Sequence, residues 1–210
     1  MKLIVFGSTG LLGKQVVQQA NEEGFGVTAF CRDTSKLQHI GGQKLNIFTG
    51  DVFDPKSVEE AIKGHDTVCI ALGSGQKRKG VVRSVGTKNV IAGMKKNGVD
   101  RLVCVSTLGA GDSKESLNFF WKRIMFDWYL KDVYLDHELQ EKYVRESGLS
   151  WTVVRPGAFI NGEKTGQYRH GFSPDDKNIK LKISRRDVAD FIIKELTSNQ
   201  YVHQTPGISY

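Results

Sequence analysis

Two rhythms of apolar residues alternate along this 210-residue chain. Short, nearly unbroken apolar runs predict strands covered on both faces, at Lys2 to Phe6, Gly26 to Phe30, Leu45 to Thr49, Thr67 to Leu72, Arg101 to Val105 and Trp151 to Val154. Between them apolar positions recur every three or four residues, the period of a helix with one buried stripe. Leu11 to Glu23 is the first such stretch, with Leu12, Val16, Val17 and Ala20 on its stripe and Gly24 at its end. Asp54 and Pro55 open a second helix to Lys63, as N-cap and first helical residue. Further helices are predicted over Val81 to Lys96, from about Leu135 to Glu146 before Ser147-Gly148, and after Ser184, where Val188, Phe191, Ile192 and Leu196 share a face. Strands alternating with helices imply an α/β fold: one domain over residues 1–210, with a doubly wound parallel sheet joined by right-handed crossovers.

The sharpest local signal lies where the first strand meets the first helix. Gly7-Ser8-Thr9-Gly10-Leu11-Leu12-Gly13 places three glycines at three-residue spacing. That order suits a dinucleotide pyrophosphate lying across a helix N-terminus. Gly7 gives the tight turn, Gly10 lets backbone approach the phosphates, and Gly13 lets the helix pack close to the sheet. The end of the second strand then selects between nicotinamide cofactors, an acid favouring the ribose hydroxyl and an arginine the 2′-phosphate. Here it reads Cys31-Arg32-Asp33-Thr34-Ser35-Lys36, so Arg32, Ser35 and Lys36 predict NADP(H). Asp33 either caps the turn or orients Arg32. Asp51, after the third strand, either accepts from the adenine amino group or holds a turn.

Composition narrows the class. Hydrophobic residues make up 39% and charged residues 25%, as in ordinary soluble proteins. No apolar run approaches the ~20 residues that span a bilayer, and a strand beginning at Lys2 leaves no room for a signal peptide. A cytoplasmic protein without a membrane partner is expected. The net charge of +7 comes without any helix-turn-helix, zinc-finger or RNA-recognition signature, so anionic cofactors rather than nucleic acid account for it. Cys31, Cys69 and Cys104 have no metal-ligand spacing; no metal is expected, and Cys69 and Cys104 read as small buried hydrophobes.

The chain resembles the atypical short-chain dehydrogenase family that contains biliverdin reductase B, the NADPH-dependent flavin reductase. The marks are Phe6-Gly7-Ser8-Thr9-Gly10, Val27-Thr28 with Arg32-Asp33, Gly50-Asp51-Val52, Asn89-Val90-Ile91 through Gly98-Val99-Asp100, Arg145 to Leu149 and Val153-Val154-Arg155-Pro156-Gly157. Several are shared with NmrA-like redox sensors. The resemblance implies a Rossmann fold in which Gly7, Ser8, Thr9, Gly10, Leu11 and Leu12 line the pyrophosphate, and Asp51 and Val52 hold the adenine. Leu72, Gly73, His137, Pro156 and Gly157 lie nearer the ribose and nicotinamide. The family's serine beside the nicotinamide falls on Thr107, next to Ser106, and these two are the candidate catalytic hydroxyls. The family's histidine falls on Ala158. The 108–137 segment is roughly ten residues longer here and carries Phe119, Phe120, Trp121, Phe126, Trp128 and Tyr129. With the 156–183 region it is expected to form the substrate pocket, lined by Phe120, Trp121 and Phe159, although core packing is an equal reading of these rings. Lys77-Arg78-Lys79 either meets an acidic ligand group or is a solvated charge run. A monomer or weak dimer is expected.

Short-chain dehydrogenases acting on alcohols pair a tyrosine with a lysine four residues on, which lowers the phenol pKa. Tyr129, Tyr134 and Tyr143 are followed at that offset by Val133, Glu138 and Ser147. This argues against alcohol oxidation, epimerisation or dehydration. It suits NADPH-dependent hydride transfer to a conjugated acceptor, a flavin such as FMN or a linear tetrapyrrole such as biliverdin, which draws its proton from solvent or its own ring. The alternative is an NmrA-like NADP(H)-binding sensor or assembly protein without turnover.

Overall fold

The computed structural model describes residues 1–38, 40, 44–73, 80–111, 131–173, 176 and 178–210. Its strands are β1 (Lys2–Phe6), β2 (Gly26–Cys31), β3 (Leu45–Thr49), β4 (Thr67–Ile70), β5 (Arg101–Val105), β6 (Ser150–Pro156), β7 (Ala158–Ile160), β8 (Arg169–His170), β9 (Lys182–Ser184) and β10 (Gly207–Ser209). The main sheet runs in the order β3-β2-β1-β4-β5-β6-β10-β8. All its pairings are parallel except β8 against β10, an antiparallel edge that the sequence reading missed. β7 and β9 pair in a separate two-stranded sheet. Strand order reverses beside β1, where β2 and β4 flank it, and ligands bind in that crevice at the carboxyl ends of the strands.

The helices are α1 (Leu11–Glu22), α2 (Pro55–Ile62), α3 (Val82–Asn97), α4 (Lys131–Arg145) and α5 (Arg185–Ser198). Side chains alternate across each strand, so the sheet feeds two cores. Leu3, Val5, Val27, Ala29, Cys69 and Val103 face α1 and α5, meeting Val16, Val17, Ala20, Val188 and Ile192. Ile4, Phe6, Val68, Ile70, Leu102 and Cys104 face the other way, onto Val58, Ile62, Val90, Met94 and Val144. The predicted caps hold: Asp54 accepts from Lys56 N–H with Pro55 at the first turn, and Ser184 accepts from Asp187 N–H. β4 stops at Ile70 rather than Leu72, because Ala71 and Leu72 leave the strand to cross Gly7. α4 begins earlier than Leu135, at Lys131, and β6 runs on to Pro156. All three cysteines are buried and unpaired.

Candidate active site

The glycine turn closes on backbone. Gly7 has φ +87°, and a Cβ there would lie 2.3 Å from the Ala71 carbonyl oxygen. A Cβ on Gly13 would lie 2.1 Å from the Gly7 oxygen, so neither position accepts a side chain without moving main chain. Gly10 N–H donates to the Gly7 carbonyl at 3.0 Å and N-caps α1 without a side-chain bond, and the first turn carries no acid. The positive end of α1 is therefore left for an outside anion. Leu11 beside it is 69% exposed, Thr9 half-buried, and Leu12 sunk in the core. The Ser8 hydroxyl is fully buried and donates to the Phe30 carbonyl at 2.8 Å, which fixes the turn to β2.

At the end of β2, Asp33 resolves to a cap. Its carboxylate accepts from Ser35 N–H at 3.0 Å and from the Ser35 hydroxyl at 2.6 Å, and these bonds hold its pKa below the ordinary carboxylate value. Both Ser35 donors are thus committed locally. Arg32 and Lys36 stand exposed on either side, the two cations at the position that discriminates a 2′-phosphate. Asp51 accepts from Phe53 N–H at 3.0 Å, which is a turn bond. Val52 is buried, and Gly86 of α3 packs over it: a Cβ on Gly86 would lie 2.7 Å from Leu72 and 2.9 Å from Val52. Sequence reasoning passed over Gly86, whose signal was a glycine on a helix face that otherwise carries apolar side chains.

The ends of β4 and β5 bring Leu72, Gly73, Ser106 and Thr107 to the same edge as the turn. Ser106 is buried, its hydroxyl 3.5 Å from His137 Nδ1 of α4. Burial, and then the charge of nearby Arg83, push the His137 imidazole down to about 3, so it is neutral at any working pH. Thr107 is half-buried and its hydroxyl donates to the Leu108 carbonyl at 3.3 Å. Asp136, beside His137, accepts from Arg83 N–H, Ser84 N–H and the Ser84 hydroxyl, capping α3 from another helix. Among the described residues, the tyrosines whose phenols depart from the ordinary value, Tyr134, Tyr168 and Tyr201, are all pushed up, burial being the main cause. That is opposite to what a proton-transferring phenol at neutral pH requires.

Pro156 and Gly157 end β6. The Pro156 carbonyl accepts from Leu108 N–H at 2.9 Å and Gly157 N–H donates to Ile208, while a Cβ on Gly157 would meet the Leu181 backbone at 2.7 Å. Behind them Arg155 and Glu141 form a fully buried bidentate pair at 3.0 and 2.8 Å, and Glu141 also receives Arg145. Asp187 ties the segment after β7 to α5 by accepting from Thr165, Gly166, Ser184 and Tyr210. Phe159 is 39% exposed, with the Arg185 guanidinium 5.2 Å above its ring. Phe120, Trp121, the other rings of the 119–129 stretch and Lys77-Arg78-Lys79 lie outside the described residues. An open groove of about 420 Å³ among Arg145, Trp151, His203, Gln204 and Thr205 lies at the opposite edge of the sheet, where β6 begins. Among the described residues no group of His, Cys, Asp and Glu could hold a metal ion, and no helix is long and apolar enough to cross a membrane.

The model of one protein family, described as NAD(P)H-binding, matches residues 7–199. The chain belongs to the NAD(P)H-binding family. An uncharacterized chloroplastic protein of Arabidopsis thaliana is 30% identical over 210 residues, covering 95% of this chain and 73% of that one. Sanguinarine reductase of Eschscholzia californica is 25% identical over 240 residues, covering 93% and 84%. Among solved structures, the anaerobilin reductase ChuY of Escherichia coli O157:H7 shares the fold, with a TM-score of 0.80 at 23% identity over 100% of this chain and 97% of that one. The turn fits the cofactor of this NAD(P)H-binding protein on its own geometry: the space a Cβ would fill at Gly7 and Gly13 is taken by backbone, and α1 presents an uncapped positive end.

Proposed function

We propose that this protein is an NADPH-dependent reductase that directs hydride to a planar conjugated acceptor, a flavin such as FMN or a linear tetrapyrrole such as biliverdin. The observation that carries this reading is the edge of β4 and β5, where the described residues offer no side chain that titrates near neutral pH. The imidazole there, His137, is buried and neutral, with the Ser106 hydroxyl 3.5 Å from its Nδ1 and Thr107 next along the chain. An acceptor reduced at such a site must delocalise the incoming electron pair and protonate from solvent, as flavins and bilins do. The relatives named as reductases of sanguinarine and anaerobilin support a reductase reading.

NADPH supplies the hydride when bound. Gly7, Thr9, Gly10, Leu11 and Leu12, with the Ser8 backbone, hold the pyrophosphate against α1. Arg32 and Lys36 grip the 2′-phosphate, Asp51 and Val52 border the adenine, and Leu72, Gly73, His137, Pro156 and Gly157 border the nicotinamide half. Thr107 and Ser106 orient the reacting groups, and Phe159 borders the acceptor. Positioning of this kind supplies on the order of 7–11 kcal/mol of a barrier. The buried free thiols suit a reducing compartment, the cytoplasm.

NADPH oxidation measured in parallel with FMN, FAD, biliverdin and quinones tests the reading. Turnover with a flavin or bilin and none with simple alcohols or ketones is expected. Tight NADPH binding with no turnover of any acceptor would overturn it in favour of a sensor or assembly protein.

A further inference from the structure

We infer that α3 positions the adenine wall of the cofactor site, with Asn89 as the positioning residue and Gly86 as the point where the helix closes on Val52; the inference rests on the NADPH-dependent reading and extends it to residues behind the site. After β3 the chain turns from Asp51 to Asp54. Two bonds within that turn set its shape: the Asp51 carbonyl accepts from Asp54 N–H at 2.9 Å, and the Asp51 carboxylate accepts from Phe53 N–H at 3.0 Å. Neither bond uses the Val52 carbonyl. That oxygen instead accepts from the Asn89 side-chain amide at 2.9 Å, across 37 positions of sequence.

Gly86, Asn89, Gly93 and Asn97 follow one another at intervals of three and four residues, so they share one face of α3. Along that face a glycine contact and an asparagine bond occur together twice. At Gly93 a Cβ would lie 3.0 Å from Ile62 Cδ1, and Asn97 donates to the Glu59 carbonyl at 2.9 Å, which docks α2. At Gly86 a Cβ would lie 2.9 Å from Val52 Cγ2 and 2.7 Å from Leu72 Cδ1, and Asn89 donates to Val52. The pair at Gly93 joins helix to helix. The pair at Gly86 holds Val52 and Leu72, which follow the carboxyl ends of β3 and β4 on the cofactor side of the sheet.

The bond to its carbonyl fixes Val52 sideways, so its side chain offers one fixed apolar surface to a flat base. Val52 is 7% exposed, which leaves it little freedom to adjust. The atoms nearest a Cβ at Gly86 are side-chain methyls rather than main chain, so added volume there displaces the wall before it displaces the helix.

Adenosine 2′,5′-bisphosphate carries the adenine and the 2′-phosphate without nicotinamide, so its affinity for the whole chain, measured by calorimetry, tests the inference without turnover. Asn89→Leu should weaken it about tenfold, and NADPH and NADH by the same factor, since all three share the adenine and lose the same hydrogen bond behind it. The loss should fall on KM, with kcat at saturating NADPH within about twofold of wild type. Asn89→Gln keeps the donor and should recover part of the loss, and Gly86→Ala should weaken the same three ligands. Gly93→Ala is the control: it disturbs α3 against α2, and should lower Tm while leaving the three affinities unchanged. An Asn89→Leu variant that lowers Tm as Gly93→Ala does, yet binds the bisphosphate like wild type, would overturn the inference. So would unchanged affinities in Gly86→Ala, even where Asn89→Leu fails to fold. Either result in a protein that still oxidises NADPH leaves the reductase reading standing, whereas a wild type that binds neither NADPH nor the bisphosphate would sink that reading and this inference with it.

Discussion

Between β1 and α1 the chain is shaped by glycines closing on main chain, whereas between α4, β6 and α5 it is shaped by buried carboxylates. The first region leaves no room at Gly7 or Gly13 and needs no charged side chain to fix its turn. The second depends on Glu141 gripping Arg155, on Asp187 gathering four residues around one carboxylate, and on Asp190 receiving Tyr168, Lys164 and Lys194. A backbone cradle suits a ligand part that is the same in every nicotinamide cofactor. Paired side chains, by contrast, can be exchanged one at a time. The two regions should therefore fail in different ways, one to added volume and the other to lost charge.

The largest effect is expected from Glu141→Ala, which leaves Arg155 buried without its bidentate partner. Urea unfolding should show a loss of about 3–5 kcal/mol; a loss below about 1 kcal/mol would mean that the pair is not the anchor of this region. Gly7→Ala comes next. It combines a positive φ with a Cβ 2.3 Å from a carbonyl oxygen, and roughly 3 kcal/mol should go, with NADPH binding. Gly73→Ala is its control. Among the described residues its Cβ would meet nothing closer than 4.0 Å, and stability should hold.

Acid should act on the second region. The folded pKa of His137, about 3, lies below its unfolded value near 6.5, so its stabilising contribution is complete above pH 6.5 and falls as the unfolded chain takes up the proton. The loss is about 1.4 kcal/mol per pH unit, roughly 2 kcal/mol from pH 6.5 to pH 5. The difference between wild type and His137→Gln in urea melts at the two pH values isolates it, and parallel curves would contradict it. For Asp187 and Asp190, burial raises the carboxyl pKa, but the hydrogen bonds received outweigh it and the net direction is down. Both carboxyls then add their own loss below about pH 4. Hydrogen exchange should show the 161–168 segment and α5 opening before β1 and α1.

Arg32→Ala sharpens the cofactor side. NADPH should bind about tenfold more weakly, or worse, while NADH is unaffected, as fluorescence titration would read. Equal loss for both cofactors would remove Arg32 from the 2′-phosphate. Smallest is Thr107→Ala, which should lower kcat by less than about a hundredfold, the low end for a general acid or base.

The glycine turn, the capped helices and the six long strands were legible because each is written in neighbouring residues: Gly7 to Gly13, Asp54-Pro55, Ser184, and the apolar run from Arg101 to Val105. The strands β7 to β10 were not, since each has two or three residues and exists through pairings between distant parts of the chain, Ala158 with Lys182 and Ile208 with His170. The same holds in the site. Arg32 stands exposed at the end of its strand, but the Ser8 hydroxyl is drawn to Phe30, and Ser35 to the acid two residues before it. Arg83 with Asp136, and Arg155 with Glu141, join residues more than a dozen positions apart, and no local pattern announces such pairs.

The central claim is that this chain directs hydride from NADPH onto a conjugated ring. Stopped-flow mixing of the NADPH-bound protein with FMN and with biliverdin, using NADPH deuterated on the transferring face of the nicotinamide, tests it most directly. The account predicts single-turnover loss of the reduced-nicotinamide absorbance, slowed by a primary isotope effect, with the acceptor reduced in step. NADPH that stays bound and unoxidised in the presence of every flavin and bilin would contradict it.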